Sequence, residues 1–156
     1  MQEILGNNFE LQVIVQLAAA VVLGGIVGLE REFQKKEAGL RTYSLVSLGA
    51  ALFTIVGVEA FHQFSNLPGI RFDFSQLITA VALGIGFIGG GAIIQKQFHV
   101  EGLTTAAGLW VVAGIGVAVG AGLYWIAIAA SLLSLLVFAG LRIVDNVLRG
   151  KKDNVS

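Results

Sequence analysis

The chain has 156 residues, of which 56% are apolar and only 13% are charged, whereas a soluble domain has roughly 25% charged residues. Together with a mean hydropathy of +0.83, this composition is hard to reconcile with a water-facing surface. The net charge of zero implies no bulk attraction to nucleic acid, and the absence of cysteine excludes a disulfide framework, a thiolate metal site and a cysteine nucleophile.

Five apolar stretches predict five transmembrane helices, because each approaches the ~20 residues that a helix needs to cross a bilayer. In chain order the helices are expected at residues 11–29, 43–61, 76–94, 104–119 and 124–141. The turn at 120–122 is short and rich in glycine, so the last two helices are expected to form an antiparallel hairpin. The predicted fold class is therefore all-α, a polytopic membrane helical bundle.

The distribution of Lys and Arg predicts the orientation of this bundle. Nine of the ten basic residues precede helix two, precede helix four or follow helix five, and only Arg71 lies in an alternate segment. Basic residues near the ends of spans stay in the cytoplasm, so the N-terminus is expected outside and the C-terminus inside. Residues 1–142 then form the transmembrane domain and residues 143–156 a short polar cytoplasmic tail, with no removable signal peptide expected.

Glycine is the second compositional signal, with 21 residues that lie mostly inside the spans. Paired small residues let helix backbones approach closely in lipid, although small residues are also simply common in membrane helices. The candidate packing pairs are Gly24 with Gly28, Gly86 with Gly90, and Gly116 with Gly120. Close packing is expected first for the helix that carries Gly86 and Gly90. The fourth helix, rich in Gly, Ala and Val, is placed at the centre of the bundle, and the Leu-rich fifth helix is expected to face lipid.

The run at 84–89 also matches the dinucleotide fingerprint G-x-G-x-x-G. That motif needs a preceding strand, a following helix and an acidic residue about 20 positions later. Here the glycines lie in the middle of an apolar span, and no acidic residue follows at that distance. Helix packing is therefore the favoured interpretation, and no cofactor is predicted.

Three polar motifs are expected to meet on the cytoplasmic side, at residues 28–32, 39–42 and 102–107. They supply a candidate functional polar cluster of Glu30, Arg31, Arg41, Thr42, Thr104 and Thr105. A carboxylate is unfavourable at the C-terminal end of a helix and a cation at the N-terminal end, so Glu30 and Arg41 are predicted to pair. The structural alternative leaves the basic residues as topology anchors and makes Thr42 and Thr104 N-caps.

Catalytic and metal sites are not predicted, and the chain is not expected to be an enzyme. His62 and His99 fall in loops on opposite sides of the bilayer, and no nucleophile and base have a plausible spacing. No Asp, Glu, Lys or Arg lies at mid-depth. Ion pumps and proton relays place such residues there, so a charge-coupled transporter is disfavoured.

Five sequence runs together resemble the membrane domain of the MgtC/SapB family, namely residues 25–31, 38–42, 48–53, 84–91 and 102–110. The resemblance implies a multi-pass protein of the bacterial inner membrane, with links to magnesium homeostasis and to virulence. It also implies a regulatory role, because the name-giving member is regarded as a regulator that binds the membrane sector of ATP synthase. That member carries a further soluble C-terminal domain, which this chain is expected to lack.

Two functions are therefore kept open. In the first, the chain is a non-enzymatic regulator that binds another membrane protein through its glycine-lined helix faces, with the region of Glu30 and Arg41 as the cytoplasmic contact. In the alternative, an oligomer forms a small channel or carrier for magnesium or another small solute, and Glu30 and Glu32 supply oxygen ligands. The expected partners are the lipid bilayer and a second membrane protein or a second copy of the chain, and not nucleic acid.

Overall fold

The structure is a computed structural model that describes residues 2–67, 71–97 and 99–140, with side chains from residue 9 onward. Its elements are α1 (Gln2–Phe33), α2 (Leu40–Phe64), α3 (Phe74–Gly91), β1 (Ile94–Lys96), β2 (His99–Glu101), α4 (Leu103–Gly120) and α5 (Tyr124–Leu135), which continues as a π-helical turn (Leu136–Gly140). Each predicted span overlaps one of these helices. α1 runs past the predicted end of its span because Glu30, Arg31 and Glu32 are polar but still good helix formers.

Four helices are long and apolar enough to cross a membrane, namely α1 from Phe9 onward, α2, α3 and α4. The apolar segment Tyr124–Gly140 is shorter. Residue 141, where the fifth span was predicted to end, and the predicted tail at 143–156 lie outside the described residues. The predicted all-α polytopic bundle is confirmed, whereas its orientation in the membrane stays a prediction.

α4 lies at the centre of the bundle, where it contacts α1, α2, α3 and α5. Of its residues 61% are buried, compared with at most 33% in the other three long spans. Its small side chains explain this position, because they let neighbouring helices approach from several sides. α5 packs onto this centre through Ala127 and Ser131 and leaves Leu132 and Leu133 exposed, as expected for a helix that faces lipid.

Two of the three G-x-x-x-G pairs lie against the same helix, α2. A methyl group on Gly24 or Gly28 would lie 2.5 or 2.6 Å from the Cβ atom of Ser47 or Tyr43, respectively. On α4, a methyl group on Gly116 would overlap the main-chain oxygen of Ser47, and one on Gly120 would lie 2.7 Å from that of Ala51. α2 is therefore held between α1 and α4 by backbone contacts that only glycine permits.

The third pair, Gly86 with Gly90, was expected to be the most closely packed, but it contacts no other helix in the described chain. A methyl group on Gly86 or Gly90 would meet no atom within 4 Å. Only Ile85 and Gly89 of α3 are buried, and Gly89 faces Ala106 of α4. The spacing of Gly86 and Gly90 identifies a face that can approach another helix, but within the described chain that face is open.

A short β-hairpin joins α3 to α4, although a longer third helix was predicted to reach residue 94. β1 and β2 are antiparallel, with Ile94 opposite Glu101 and Lys96 opposite His99. The ammonium group of Lys96 lies 2.7 Å from the Glu101 carboxylate, and hydrogen bonds from Lys96 and then His99 lower the pKa of Glu101. α3 ends at Gly91 because the β-branched residues that follow favour the strand, and its run of glycines disfavours further helix.

Candidate functional site

One end of the bundle, hereafter the basic end, carries Arg31, Lys35, Lys36, Arg41 and Lys96. It is formed by the C-terminal end of α1, the loop at 34–39, the N-terminal ends of α2 and α4, and the hairpin. The three polar motifs at 28–32, 39–42 and 102–107 lie together at this end. The hydrogen bonds that join them show which of their side chains cooperate.

Thr105 connects three segments of the basic end. Its side chain is 2% exposed, and its hydroxyl donates to Oε2 of Glu37 in the loop at a distance of 2.9 Å. Its main-chain carbonyl accepts a hydrogen bond of 3.2 Å from the hydroxyl of Tyr43 on α2. Hydrogen bonds from the main chain of Glu37 and then from Thr105 lower the pKa of Glu37. Thr105 was a predicted site residue, but the part played by Glu37 was missed because a loop carboxylate looks solvated in sequence.

Glu30 pairs with its neighbour Arg31, and not with Arg41 as predicted. Nε of Arg31 donates to Oε2 of Glu30 at 2.5 Å, and the guanidinium lies 3.9 Å from the centre of the Phe138 ring. Arg31 is only 5% exposed, and Phe138, which lies against it, belongs to the π-helical turn that follows α5. Oε1 of Glu30 is buried and has no hydrogen-bond partner among the described residues.

Arg41 is exposed and forms no ion pair with any residue that the structure describes. The predicted pairing of Glu30 with Arg41 is wrong, although a carboxylate does lie at the N-terminal end of α2. The carboxylate that the N-terminal end of α2 favours is supplied by Glu32, whose Oε2 accepts a 3.1 Å hydrogen bond from the Leu40 amide. Because Glu30 takes the nearer Arg31 and Glu32 caps α2, Arg41 is left facing outward.

Thr42 and Thr104 are not N-caps, contrary to the structural alternative. The N-cap of α2 is Gly39 and that of α4 is Gly102, and neither makes a side-chain capping bond. Gly102 has a φ of +84°, and a Cβ atom there would overlap the main-chain oxygen of Ala92. Glycine is therefore required at the turn from the hairpin into α4. Thr104 is exposed in the first turn of α4, and Thr42 is half-buried on α2.

A polar cavity of about 890 Å³ opens at the basic end. It is lined by Arg31, Gln34, Lys35, Lys36, Glu37, Val100, Glu101, Gly102, Leu103, Thr104, Thr105, Val137 and Phe138. Lys35 has a φ of +52°, a left-handed conformation that costs on the order of 1 kcal/mol for a residue with a side chain. The lining mixes both signs of charge, which suits hydrogen bonding and ion pairing with a polar partner. Across residues 2–67, 71–97 and 99–140, no group of three His, Asp or Glu residues could hold a metal ion.

A second cavity, the α2–α3 cleft, has a volume of about 720 Å³ and an almost entirely apolar lining. It is lined by Thr42, Leu45, Val46, Gly49, Ala50 and Phe53 of α2, Leu77, Ala80, Val81, Gly84, Ile85 and Ile88 of α3, and Ala113 of α4. Small residues on the two walls, such as Gly49 of α2 and Ala80 of α3, leave this space. Sequence reasoning missed the cleft because the spacing of small residues does not show whether two helices close over them.

The model of the MgtC family matches residues 17–147 of this chain. YhiD of Escherichia coli K12, named provisionally as a magnesium transporter, is 41% identical over 124 residues, which are 80% of this chain and 58% of YhiD. The MgtC protein of Brucella abortus is 42% identical over 132 residues, 85% of this chain and 52% of that protein. SapB of Bacillus subtilis is 39% identical over 125 residues, 80% of this chain and 54% of SapB.

This chain thus spans little more than half the length of the curated relatives that it matches. No solved structure matches it. The apolar helices and the bacterial relatives identify a multi-pass membrane protein of bacteria. The family match covers nearly all of the described bundle, from the middle of α1 to the π-helical turn. The chain belongs to the MgtC family.

Proposed function

We propose that this protein is a non-enzymatic membrane protein that regulates another membrane protein by binding it within the bilayer. The observation that carries the proposal is the exposed side of α3 that lies away from the rest of the bundle. This side, hereafter the outer face of α3, is formed by Leu83, Gly86, Phe87 and Gly90. Leu83 is 73% exposed and Phe87 is 88% exposed, and the two glycines have open space before them. None of these four residues lines the α2–α3 cleft.

Lipid tails are as apolar as leucine, so exposed apolar residues alone do not drive helices together in a membrane. Close backbone approach does, and this chain uses it twice, where Gly24 and Gly28 of α1 and Gly116 of α4 meet α2. Gly86 and Gly90 have the same spacing but no helix opposite them in the described chain. A helix of another protein that approached this face would gain the packing that α2 gains on its two sides.

The link to magnesium comes from the relatives. The name of YhiD refers to magnesium transport, and the resemblance to the MgtC/SapB family implies a response to magnesium limitation. The same resemblance names the membrane sector of ATP synthase as a candidate partner. We propose that the outer face of α3 supplies the contact within the membrane and that the polar cavity at the basic end supplies a contact outside it.

Photo-crosslinking in native membranes tests this proposal. A photoreactive residue at Phe87 should capture a subunit of the ATP synthase membrane sector, identified by mass spectrometry. The same residue at Leu132, which is 62% exposed on α5, is the matched control and should capture little protein. Gly86→Leu should abolish the crosslink from Phe87, whereas Gly84→Leu should preserve it, because Gly84 lines the cleft. Crosslinks to other copies of this chain alone, or equal capture from both positions, contradict the proposal.

Transport is the second candidate, favoured by the name of YhiD. An oligomer would have to provide oxygen ligands for Mg²⁺, which keeps several waters and takes one or two carboxylates. The carboxylates of Glu30, Glu32 and Glu37 at the basic end already accept hydrogen bonds from Arg31, Leu40 and Thr105, respectively. Uptake of labelled magnesium into liposomes that contain the pure protein would support transport, and uptake equal to that of empty vesicles would rule it out.

A further inference from the structure

The α2–α3 cleft lies between two membrane-spanning helices and is too apolar to hold water. Thr42 is the only lining residue with a polar side chain, and a buried water needs two to four polar partners. In a bilayer the cleft is therefore filled by apolar groups, which are either the acyl chain of a lipid or the side chains of another helix.

The length of the cleft distinguishes these two occupants. Along α2 it extends from Thr42 to Phe53, a rise of about 16 Å at 1.5 Å per residue. A partner helix would span the whole hydrocarbon core of ~30 Å, about twice this length, whereas one acyl chain spans a single leaflet.

The position of the cleft identifies the leaflet. Thr42 lies near the N-terminal end of α2 at the basic end, and Ile88 lies near the C-terminal end of α3 at the same end of the bundle. The cleft therefore begins where the headgroups of that leaflet lie and extends past mid-depth, to Phe53 in the middle of α2 and Leu77 in the first turn of α3. A lipid of this leaflet can place one chain in the cleft without leaving its normal depth.

Charge at the mouth of the cleft favours an anionic headgroup. Arg41 precedes Thr42 and lies one turn before Leu45, so it stands beside the entrance. It is exposed and has no ion-pair partner among the described residues. Glu32 already occupies the Leu40 amide, which leaves the Arg41 guanidinium and the Thr42 hydroxyl to bind a phosphate. A guanidinium suits a phosphate because it can donate two parallel hydrogen bonds.

We propose that the α2–α3 cleft is a binding site for one anionic phospholipid of the leaflet at the basic end. One acyl chain lies between α2 and α3, and the headgroup phosphate is bound by Arg41 and Thr42. The lipid fills the space that Gly49, Ala80 and Gly84 leave open and fixes the distance between the two helices. The site does not depend on the proposed protein partner, which would contact a different face of α3.

Native mass spectrometry of the pure protein in detergent tests the site. The probes are phosphatidylglycerol and phosphatidylethanolamine with the same palmitoyl and oleoyl chains, added at equal concentration. We expect the protein to retain phosphatidylglycerol in preference. Gly84→Leu should reduce retention of both lipids at least tenfold by filling the cleft. Gly86→Leu is the matched control. A side chain at Gly84 or at Gly86 of α3 would enter open space, but only Gly84 lines the cleft. Gly49→Leu, on the opposite wall, should repeat the effect if Gly84→Leu does not fold.

A second pair of variants tests the headgroup. Arg41→Gln should reduce the preference for phosphatidylglycerol about five- to tenfold, the effect of one cation near a phosphate. Lys36→Gln removes the same charge from the same end but lies on the polar cavity, and it should leave the preference unchanged. Unchanged retention in the cleft-filling variants would overturn the site. Equal retention of the two lipids by the unaltered protein, or equal effects of Arg41→Gln and Lys36→Gln, would overturn the assignment of the headgroup.

Discussion

Thr105 is the residue on which the contacts of the basic end converge. It is buried, and its hydroxyl and carbonyl reach Glu37 and Tyr43 at 2.9 and 3.2 Å. The neighbouring Thr104 is exposed in the same turn of α4. Because only one of two adjacent threonines is buried and bonded across segments, their substitutions should have different effects on stability.

Thr105→Val should lower the free energy of unfolding by about 1 kcal/mol, because it removes one hydrogen bond without changing the shape of the side chain. The value is modest because the Glu37 carboxylate is exposed to solvent. Thermal unfolding of the pure protein in detergent measures the effect. Thr104→Val is the control and should change stability by less than about 0.5 kcal/mol. Equal losses in the two variants would show that the hydrogen bond to Glu37 does not stabilise the fold.

Acidification should weaken the same contact. Hydrogen bonds from its own main chain and from Thr105 hold the pKa of Glu37 in the folded protein below the ordinary value of 4.5. The resulting stability is fully present above the pKa of the unfolded chain and is lost as pH falls through the lower pKa of the folded chain. Between about pH 5 and pH 3, the unaltered protein should therefore lose more stability than Glu37→Gln, which cannot titrate. Asp73 and Glu101, whose pKa values are also lowered, are present in both proteins, so parallel melting curves would contradict a contribution from Glu37.

α4 provides a matched test of close helix packing. A methyl group on Gly116 would overlap the main-chain oxygen of Ser47 and lie 2.9 Å from the Cβ atom of Ala50, whereas one on Gly114 would meet nothing within 4 Å. Gly116→Ala should destabilise the bundle by roughly 1–3 kcal/mol, because a main-chain atom cannot turn aside as a side chain can. Gly114→Ala should be neutral or slightly stabilising, since it only restricts the unfolded chain. Thermal unfolding of both variants checks this, and similar midpoints would contradict the packing.

Hydropathy predicted the helices better than their connections. A long apolar run has one stable conformation in lipid, so the sequence predicts the membrane spans. β1 and β2, in contrast, have only three residues each. Strands this short give no alternating pattern. The G-x-x-x-G spacing showed which faces can approach a helix, but it could not show that Gly24 and Gly116 meet α2 while Gly86 faces open space.

The candidate site was predictable in place but not in detail. Hydropathy and basic residues located the end of the bundle where the polar motifs meet. The electrostatics of helix ends required a carboxylate near the N-terminal end of α2, but they could not select Glu32 over Glu30. Both carboxylates lie in the last turns of α1, and only the direction of each side chain decides which one reaches α2. The contact between Glu37 and Thr105 joins residues 68 positions apart, and only the packing of α4 against the loop creates it.

The molecule consists of a packed group of four helices, α1, α2, α4 and α5, and one helix, α3, that is held mainly through α4. The two surfaces proposed to lie within the membrane both include α3, one on each side of its contact with α4. In the bilayer, lipid or another protein must therefore cover both the α2–α3 cleft and the outer face of α3. The bond between Glu37 and Thr105 also requires the chain to return to the basic end after α2 and α3.

This return fixes the relative positions of the loops across the membrane, and the chain is suited to a direct test because it has no cysteine. Lys36→Cys and Lys96→Cys, both at exposed positions of the basic end, should react with a membrane-impermeant thiol reagent only after spheroplasts are permeabilised, since basic residues stay in the cytoplasm. Gln63→Cys, exposed at the other end of α2, should react in intact spheroplasts. If Lys36→Cys and Lys96→Cys were labelled from opposite sides, α2 and α3 could not both cross the bilayer, and neither the cleft nor the outer face of α3 would lie in lipid.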